Sequence, residues 1–350
     1  MTRAQFRPPH HDHEHFLLTT VVGSFPQPEW LDYVREGVSA GALDAVDRQE
    51  AEEDATRAAI VDQERAGLDV ISDGEMRREG MVEYFTNFVD GYDTPGGGDS
   101  ADWNASMPRV TGTVETSEPW VVDDFTFATG VAARPVKVTM TGPFTLATFA
   151  SPEAYDSVEA LTLDFAELLA EEVHRLVEAG ARWIQLDEPG LGMSPHGELA
   201  QEALETIAPV VPEDVRFGTH VCSGNYTNLA EEMLAFPVDE LDLEFGSEDA
   251  DDPGEVFEGR DFEMDIGFGV VDTQSREAES VETIEARIRE GLAHIPPSKL
   301  TVSPDCGLKP LDRETATTKL EHMVAAARSV EAALDAGDVA PLAEDGSENG

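Results

Sequence analysis

Cys222 and Cys306 are the only cysteines in the 350-residue chain. Cys222 closes the run Thr219-His220-Val221-Cys222, and on an extended backbone this spacing puts imidazole and thiol on the same side. Cys306 lies in Ser303-Pro304-Asp305-Cys306-Gly307, where proline and glycine mark a turn. Glu244 ends Leu241-Asp242-Leu243-Glu244, an apolar run with no cation beside it to pair a charge. Imidazole, thiolate and carboxylate are the donors zinc takes in a tetrahedron at ~2.0–2.3 Å. Soft thiolates argue against magnesium or calcium. Taken singly, each residue has a plainer explanation, since free cysteines are often small buried hydrophobes and a core histidine can be satisfied by hydrogen bonds. A reducing compartment disfavours a disulfide, which leaves structural thiols, a metal site or a reactive nucleophile.

The elements that must position these residues are legible in the hydropathy pattern. Eight short apolar or β-branched runs occur at 19–25, 68–73, 136–141, 183–187, 216–221, 240–245, 265–271 and 300–303. Longer segments with helical periodicity separate them, for example 158–178, 198–207 and 281–293. Eight alternations predict an α/β fold of the (β/α)8, or TIM, barrel type. A doubly wound open sheet is the alternative, but no G-x-G-x-x-G follows an early strand, so its dinucleotide-binding version is disfavoured. The stretch 88–135 is too long for a plain connection; its alternating runs at 109–115 and 120–127 predict an inserted β-hairpin or lid between the second and third strands.

In such a barrel the carboxyl ends of the strands form the active-site rim. Ser24, Asp73, Glu75, Asp187, Glu188, His220, Cys222, Glu244, Asp272, Gln274, Asp305 and Cys306 all fall at or just past predicted strand ends. A histidine, two cysteines and several carboxylates on one rim have the composition of a metal site.

Charge excludes some functions. Asp and Glu number 72 against 23 Lys and Arg, a formal net charge of −49. Such a surface repels nucleic acid and anionic membranes. The acid is spread over segments that read as ordered, which suggests a halophilic protein from a multimolar-salt cytoplasm, where ~1 M salt shortens the screening length to ~3 Å. No apolar run reaches the ~20 residues that span a bilayer, and the amino terminus lacks a signal-peptide core. The expected location is cytoplasmic. Residues 1–15, with His10, His11, His13 and His15, read as a disordered His-rich tail, 16–335 as the barrel, and 336–350 as a disordered acidic tail.

A set of motifs spanning about 17–330 resembles the catalytic carboxyl-terminal half of the cobalamin-independent methionine synthases, in a short core form of archaeal type. The motifs are Thr19-Thr20-Val21-Val22-Gly23-Ser24-Phe25-Pro26, Asp73-Gly74-Glu75, Thr141-Gly142-Pro143, Ile184-Gln185-Leu186-Asp187-Glu188-Pro189, Thr219-His220-Val221-Cys222, Gly267-Phe268-Gly269-Val270 and Ser303-Pro304-Asp305-Cys306-Gly307-Leu308-Lys309. The resemblance implies a TIM-barrel methyltransferase that converts homocysteine to methionine. It implies Zn2+ on His220, Cys222, Glu244 and Cys306, and homocysteine on Val22, Gly23, Ser24, Glu75 and Asp187. Carboxylates at Glu75 and Asp187 suit an α-ammonium, and donors near Gly23 and Ser24 suit an α-carboxylate. Glu244, a weaker donor than the thiolates, is expected to yield its place to the substrate sulfur. With Asp272 and Gln274 it forms the candidate catalytic set.

The sequence departs from the long folate-using enzymes where those touch folate. Gln274 stands in place of their proposed proton-donating histidine; Asn104, Ala105, Phe149 and Met193 also differ. Methyltetrahydrofolate is a poor leaving group without protonation. The sequence reading therefore expects a methylcorrinoid donor, methylcobalamin or a corrinoid protein, with methyltetrahydrofolate or methyltetrahydropteroylglutamate as the alternative. Methyl transfer to another thiol, and zinc-dependent hydrolysis through a metal-bound water, are further alternatives. A missing ammonium on other thiols would leave Glu75 and Asp187 without a role.

Overall fold

The computed structural model describes residues 3–7, 13–93, 108–194, 196–222, 224–339 and 342. Asn104 and Ala105, His10 and His11, and most of the acidic carboxyl-terminal segment lie outside the described residues.

Two strands, β1 (Asp90–Asp93) and β2 (Arg109–Glu115), form an antiparallel pair with Tyr92 opposite Val110. The other six are parallel neighbours in chain order: β3 (Val138–Thr141), β4 (Trp183–Asp187), β5 (Arg216–Val221), β6 (Glu240–Glu244), β7 (Asp265–Gly269) and β8 (Leu300–Ser303). The two remaining barrel positions are filled by extended segments that touch the ring through isolated bridges. Thr19 bridges Val302 and Ile71 bridges Val136, both in parallel sense. Thr20 N donates to Val302 O at 3.0 Å, Asp69 N to Thr19 O at 3.1 Å, and Lys137 N to Ile71 O at 2.7 Å, so backbone bonds run from β8 through both segments to β3. These segments are short as strands because side chains take over the pairing. The Asp69 carboxylate accepts from Thr19 N at 2.9 Å and Thr19 Oγ1 at 2.8 Å. The fold is the expected TIM barrel, with the hairpin inserted between the second and third ring positions.

Alternation along the strands decides the two faces. Ile184, Leu186, Phe217, Leu241, Leu243, Ile266, Phe268, Leu300 and Val302 are buried outward-alternating positions beneath the helices. The helix Val158–Glu178 places Leu161, Phe165, Leu169, Val173 and Leu176 on its buried face, and Ser157 Oγ caps it by accepting from Ala160 N. The interior alternation is polar. Arg216 donates to Glu240 at 2.6 Å and Asp265 at 2.7 Å, Thr301 donates to Glu240 at 2.9 Å, and Ser303 donates to Asp242 at 2.7 Å. These groups sit inside strand runs and are affordable because each has a partner.

Two expectations are corrected. The run 120–127 is not the second hairpin strand: Val122–Val131 is a helix, and β1 supplies the partner of β2. Glu172 Oε1 accepts from both Trp120 N and Val121 N at 2.8 Å, which ties down the start of this helix. The described part of the amino-terminal fifteen residues is also packed rather than free. Phe6 is buried against Trp183 with ring centroids 5.1 Å apart, while His13 and His15 each place Nδ1 on the Asp335 carboxylate at 3.1 and 2.8 Å. Among the described residues no helix is long and apolar enough to cross a membrane.

Candidate active site and metal centre

β5 delivers His220 and Cys222, β6 delivers Glu244 as its last residue, and the turn after β8 delivers Cys306. One donor atom from each lies within 4.8 Å of the others, and among the described residues this is the one such grouping. Cys306 must reach past β7 to join the ends of β5 and β6. Gly269, the last residue of β7, makes the reach possible: a Cβ there would sit 2.6 Å from Asp305 Oδ1. Asp305 Oδ1 then accepts from Gly246 N at 2.7 Å and Phe245 N at 3.3 Å, fastening the Cys306 turn to the loop that follows Glu244. Burial pushes the Asp305 carboxyl up to about 8.

The donor set fits a soft divalent cation. His220 is buried, its Nδ1 lies 3.2 Å from Asp242 Oδ2, and its Nε2 is buried with no hydrogen-bond partner. Burial alone would lower the His220 imidazole, but Asp242 and Cys222 outweigh it and hold the ring well above its ordinary range when no cation is present; a cation that displaced the proton would leave Nδ1–H on the carboxylate and a lone pair at Nε2. The Cys306 thiol is pushed well above its ordinary range, by its hydrogen bond to Cys222, by burial and by the neighbouring Cys222 and Glu244 charges. Groups that resist ionising together become compatible when a cation sits between them.

A cavity of about 350 Å³ opens beside the cluster. Val22, Ser24, Glu75, Asp187, His220, Cys222, Gln274 and Cys306 all line it. Gly23 lies just behind, and a Cβ there would fall 2.4 Å from Glu75 Oε1. Glu75 has φ 57°, a left-handed conformation rare for a side chain of this size. Asp73 helps impose it by accepting from Glu75 N at 2.9 Å. The Glu75 carboxylate accepts from Thr139 Oγ1 at 2.9 Å and lies 3.4 Å from Arg78 Nη1. Asp187 accepts from Gln185 Nε2 at 2.7 Å, and burial pushes its carboxyl up to about 7.

Not every expected residue converges. Asp272 is absent from the cavity lining, and its Oδ1 accepts from Gln274 N at 2.8 Å and Ser275 N at 3.2 Å. This carboxylate organises the loop rather than facing the reacting atoms. Gln274 is exposed at the cavity mouth, and Glu244 joins the cluster rather than the lining. Glu188 is structural: it accepts from Phe144 N at 3.0 Å, Thr145 N at 2.8 Å and Thr145 Oγ1 at 2.6 Å, capping the helix Pro143–Thr148.

Two cavity cations were given no role by the sequence reading. Arg78 is buried and donates to Thr139 O at 2.8 Å, and Lys309 donates to Glu79 O at 2.8 Å and Arg78 O at 3.2 Å. Their signal was present, since basic residues are scarce here: Arg78 follows Glu75 by three residues, and Lys309 closes the 303–309 motif three residues after Cys306.

Comparison with known proteins accords with this geometry. Residues 17–329 match the family model described as the catalytic domain of cobalamin-independent synthases. The chain belongs to this family. A methionine synthase of Saccharolobus solfataricus is 36% identical over 320 residues, covering 88% of this chain and 93% of that relative. One of Pyrococcus furiosus is 35% identical over 329 residues, covering 91% and 94%. Among solved structures, a B12-independent methionine synthase from Shewanella in complex with selenomethionine superposes with a TM-score of 0.80 at 24% identity, covering 92% of this chain and all of that one. Membership makes the protein an enzyme of the methyltransferase class. It also works against the corrinoid donor and corrinoid-protein partner expected from sequence, because the family is defined by independence from cobalamin.

Proposed function

We propose that the protein methylates the thiol of L-homocysteine to give L-methionine, with zinc held by His220, Cys222, Glu244 and Cys306. The observation carrying this reading is that three of the four donors, His220, Cys222 and Cys306, line one cavity with Val22, Ser24, Glu75 and Asp187, and that Glu244 completes the donor cluster beside it. Zinc bound there supplies positive charge that lets a substrate thiol, with an ordinary pKa of ~8.5, react as thiolate at neutral pH. Glu75 and Asp187 hold the substrate's ammonium. Ser24 and the backbone N–H groups beside Gly23 hold its carboxylate. A homocysteine so gripped at its head directs its sulfur toward Cys222 and Cys306. Asp242 holds the His220 ring so that Nε2 faces the cluster.

The donor is a reduced methylfolate, 5-methyltetrahydrofolate or methyltetrahydropteroylglutamate, in keeping with a cobalamin-independent family. The S–CH3 bond forms as the N–CH3 bond breaks; the leaving nitrogen takes up a proton from solvent water, and the proton that the homocysteine thiol releases on ionising balances it. Gln274 is an amide and can hydrogen-bond to the donor but cannot supply that proton. The test is a homocysteine methylation assay in high salt with each donor. Turnover with methyltetrahydropteroylglutamate and none with methylcobalamin is expected; the reverse pattern overturns the donor assignment.

A further inference from the structure

Beneath the amino-acid pocket lies a buried hydrogen-bond chain that the proposed reaction does not itself call on. Gln185 stands one interior position below Asp187 on β4 and is buried, as is Lys137 just before β3. Gln185 Nε2 donates to Asp187 Oδ1 at 2.7 Å and to Val22 O at 3.1 Å, while its Oε1 accepts from Lys137 Nζ at 2.6 Å. The Lys137 ammonium rests on the Trp183 ring, 5.3 Å from its centroid.

An ammonium only donates, so it can be served only by the oxygen end of the amide. That choice points both amide hydrogens at the other two partners. One goes to the segment that carries Val22, Gly23 and Ser24, the other to the Asp187 carboxylate. A flipped amide would set Oε1 against two acceptors and its NH2 against a cation. The three bonds therefore admit one orientation, and that orientation links the two halves of the head-group pocket.

We propose that Lys137 and Gln185 are positioning residues that fix Asp187 and the Val22–Ser24 corner relative to one another, and so set the selectivity for thiols bearing an α-amino-acid head. The inference rests on Asp187 holding the substrate's ammonium. Neither residue touches substrate; both act through Asp187 and the Val22 carbonyl.

Calorimetric titration of the zinc-loaded full-length protein tests this without needing a methyl donor. The probes are homocysteine and 4-mercaptobutanoate, which lacks the amino group. Lys137→Met and Gln185→Glu are expected to weaken homocysteine binding about tenfold, the worth of one charge-assisted hydrogen bond. Binding of 4-mercaptobutanoate should change less than twofold, and Lys137→Arg, still a pure donor, should recover most of the homocysteine affinity. Asp187→Asn serves as reference. If it leaves the ratio of the two dissociation constants unchanged, the assignment of Asp187 to the ammonium is what fails. If Asp187→Asn collapses the ratio and Lys137→Met and Gln185→Glu do not, the inference is overturned. Equal losses for both thiols, with weaker zinc binding, also overturn it, because they mark a merely structural role. Gln185→Glu is isosteric and carries the test alone should Lys137→Met fail to fold.

Discussion

Asp242→Asn should weaken zinc binding without unfolding the barrel. Asp242 Oδ2 lies 3.2 Å from His220 Nδ1, Ser303 Oγ donates to Asp242 Oδ1 at 2.7 Å, and both His220 and Asp242 are 2% exposed. Asparagine keeps one acceptor. With its oxygen toward His220, its NH2 faces Ser303, whose hydroxyl can turn to accept. The substitution thus removes a charge while keeping both bonds. A charge-assisted hydrogen bond exceeds a neutral one by about 1–1.5 kcal/mol, which is about tenfold in affinity. This agrees with the 10–100-fold loss typical for residues that orient a metal-ligating histidine. Asp242→Ala also strands the Nδ1–H in a buried site, adding about 1–3 kcal/mol, so a loss of roughly 100-fold or more is expected. The assay is competition for zinc against a chromogenic chelator, with circular dichroism recording the fold. Zinc affinity within twofold of the parent for Asp242→Asn would refute the argument that the carboxylate presents Nε2 to the metal.

Gly23→Ala would put a Cβ 2.4 Å from Glu75 Oε1; homocysteine binding should weaken about tenfold, a loss of ~1.4 kcal/mol, with zinc affinity unchanged, and calorimetry that shows normal homocysteine affinity would contradict the placement of Glu75. With a net charge of −49, the melting temperature should fall steadily as salt drops from molar to ~0.1 M, where screening extends to ~10 Å; a melting temperature indifferent to salt would remove the halophilic reading. Burial raises the Glu188 carboxyl to about 7 from an ordinary 4.5. The folded state therefore holds a proton there that the unfolded state has released, and this contribution to stability falls as pH rises from 4.5 toward 7. Glu188→Gln should flatten that part of the stability–pH curve, and denaturant titrations with an unaltered slope would count against it.

Much of the site was legible because metal donors and barrel rims each leave a local mark. His220 and Cys222 share a strand face by spacing, and Glu244 and Asp187 end apolar runs where a carboxylate has no reason to be unless it faces a rim. Other residues gave misleading signals. Asp272 has the same rim position as these, but its carboxylate is spent on backbone amides two and three residues later, a local turn that position alone does not reveal. The run 120–127 alternates like a strand, yet a helix starts at Val122, and Glu172, far along the chain, takes the amides of Trp120 and Val121 just ahead of it. Phe6 sits in a polar, histidine-bearing segment and is anchored by Trp183, Leu18 and Val70, which the chain brings together only in the folded barrel.

The sequence by itself determined the eight-fold alternation, the donor types and the rim positions they occupy, since periodicity and residue chemistry are local properties. Tertiary structure decided which of those rim residues meet. Cys306 joins His220, Cys222 and Glu244 across β7 because Gly269 leaves room for Asp305. The polar interior of the barrel, including the chain from Lys137 through Gln185 to Asp187, also appears only on closure. A strand's pattern states that alternate residues share a face, but only the closed ring sets those faces opposite one another and supplies each buried charge with its partner.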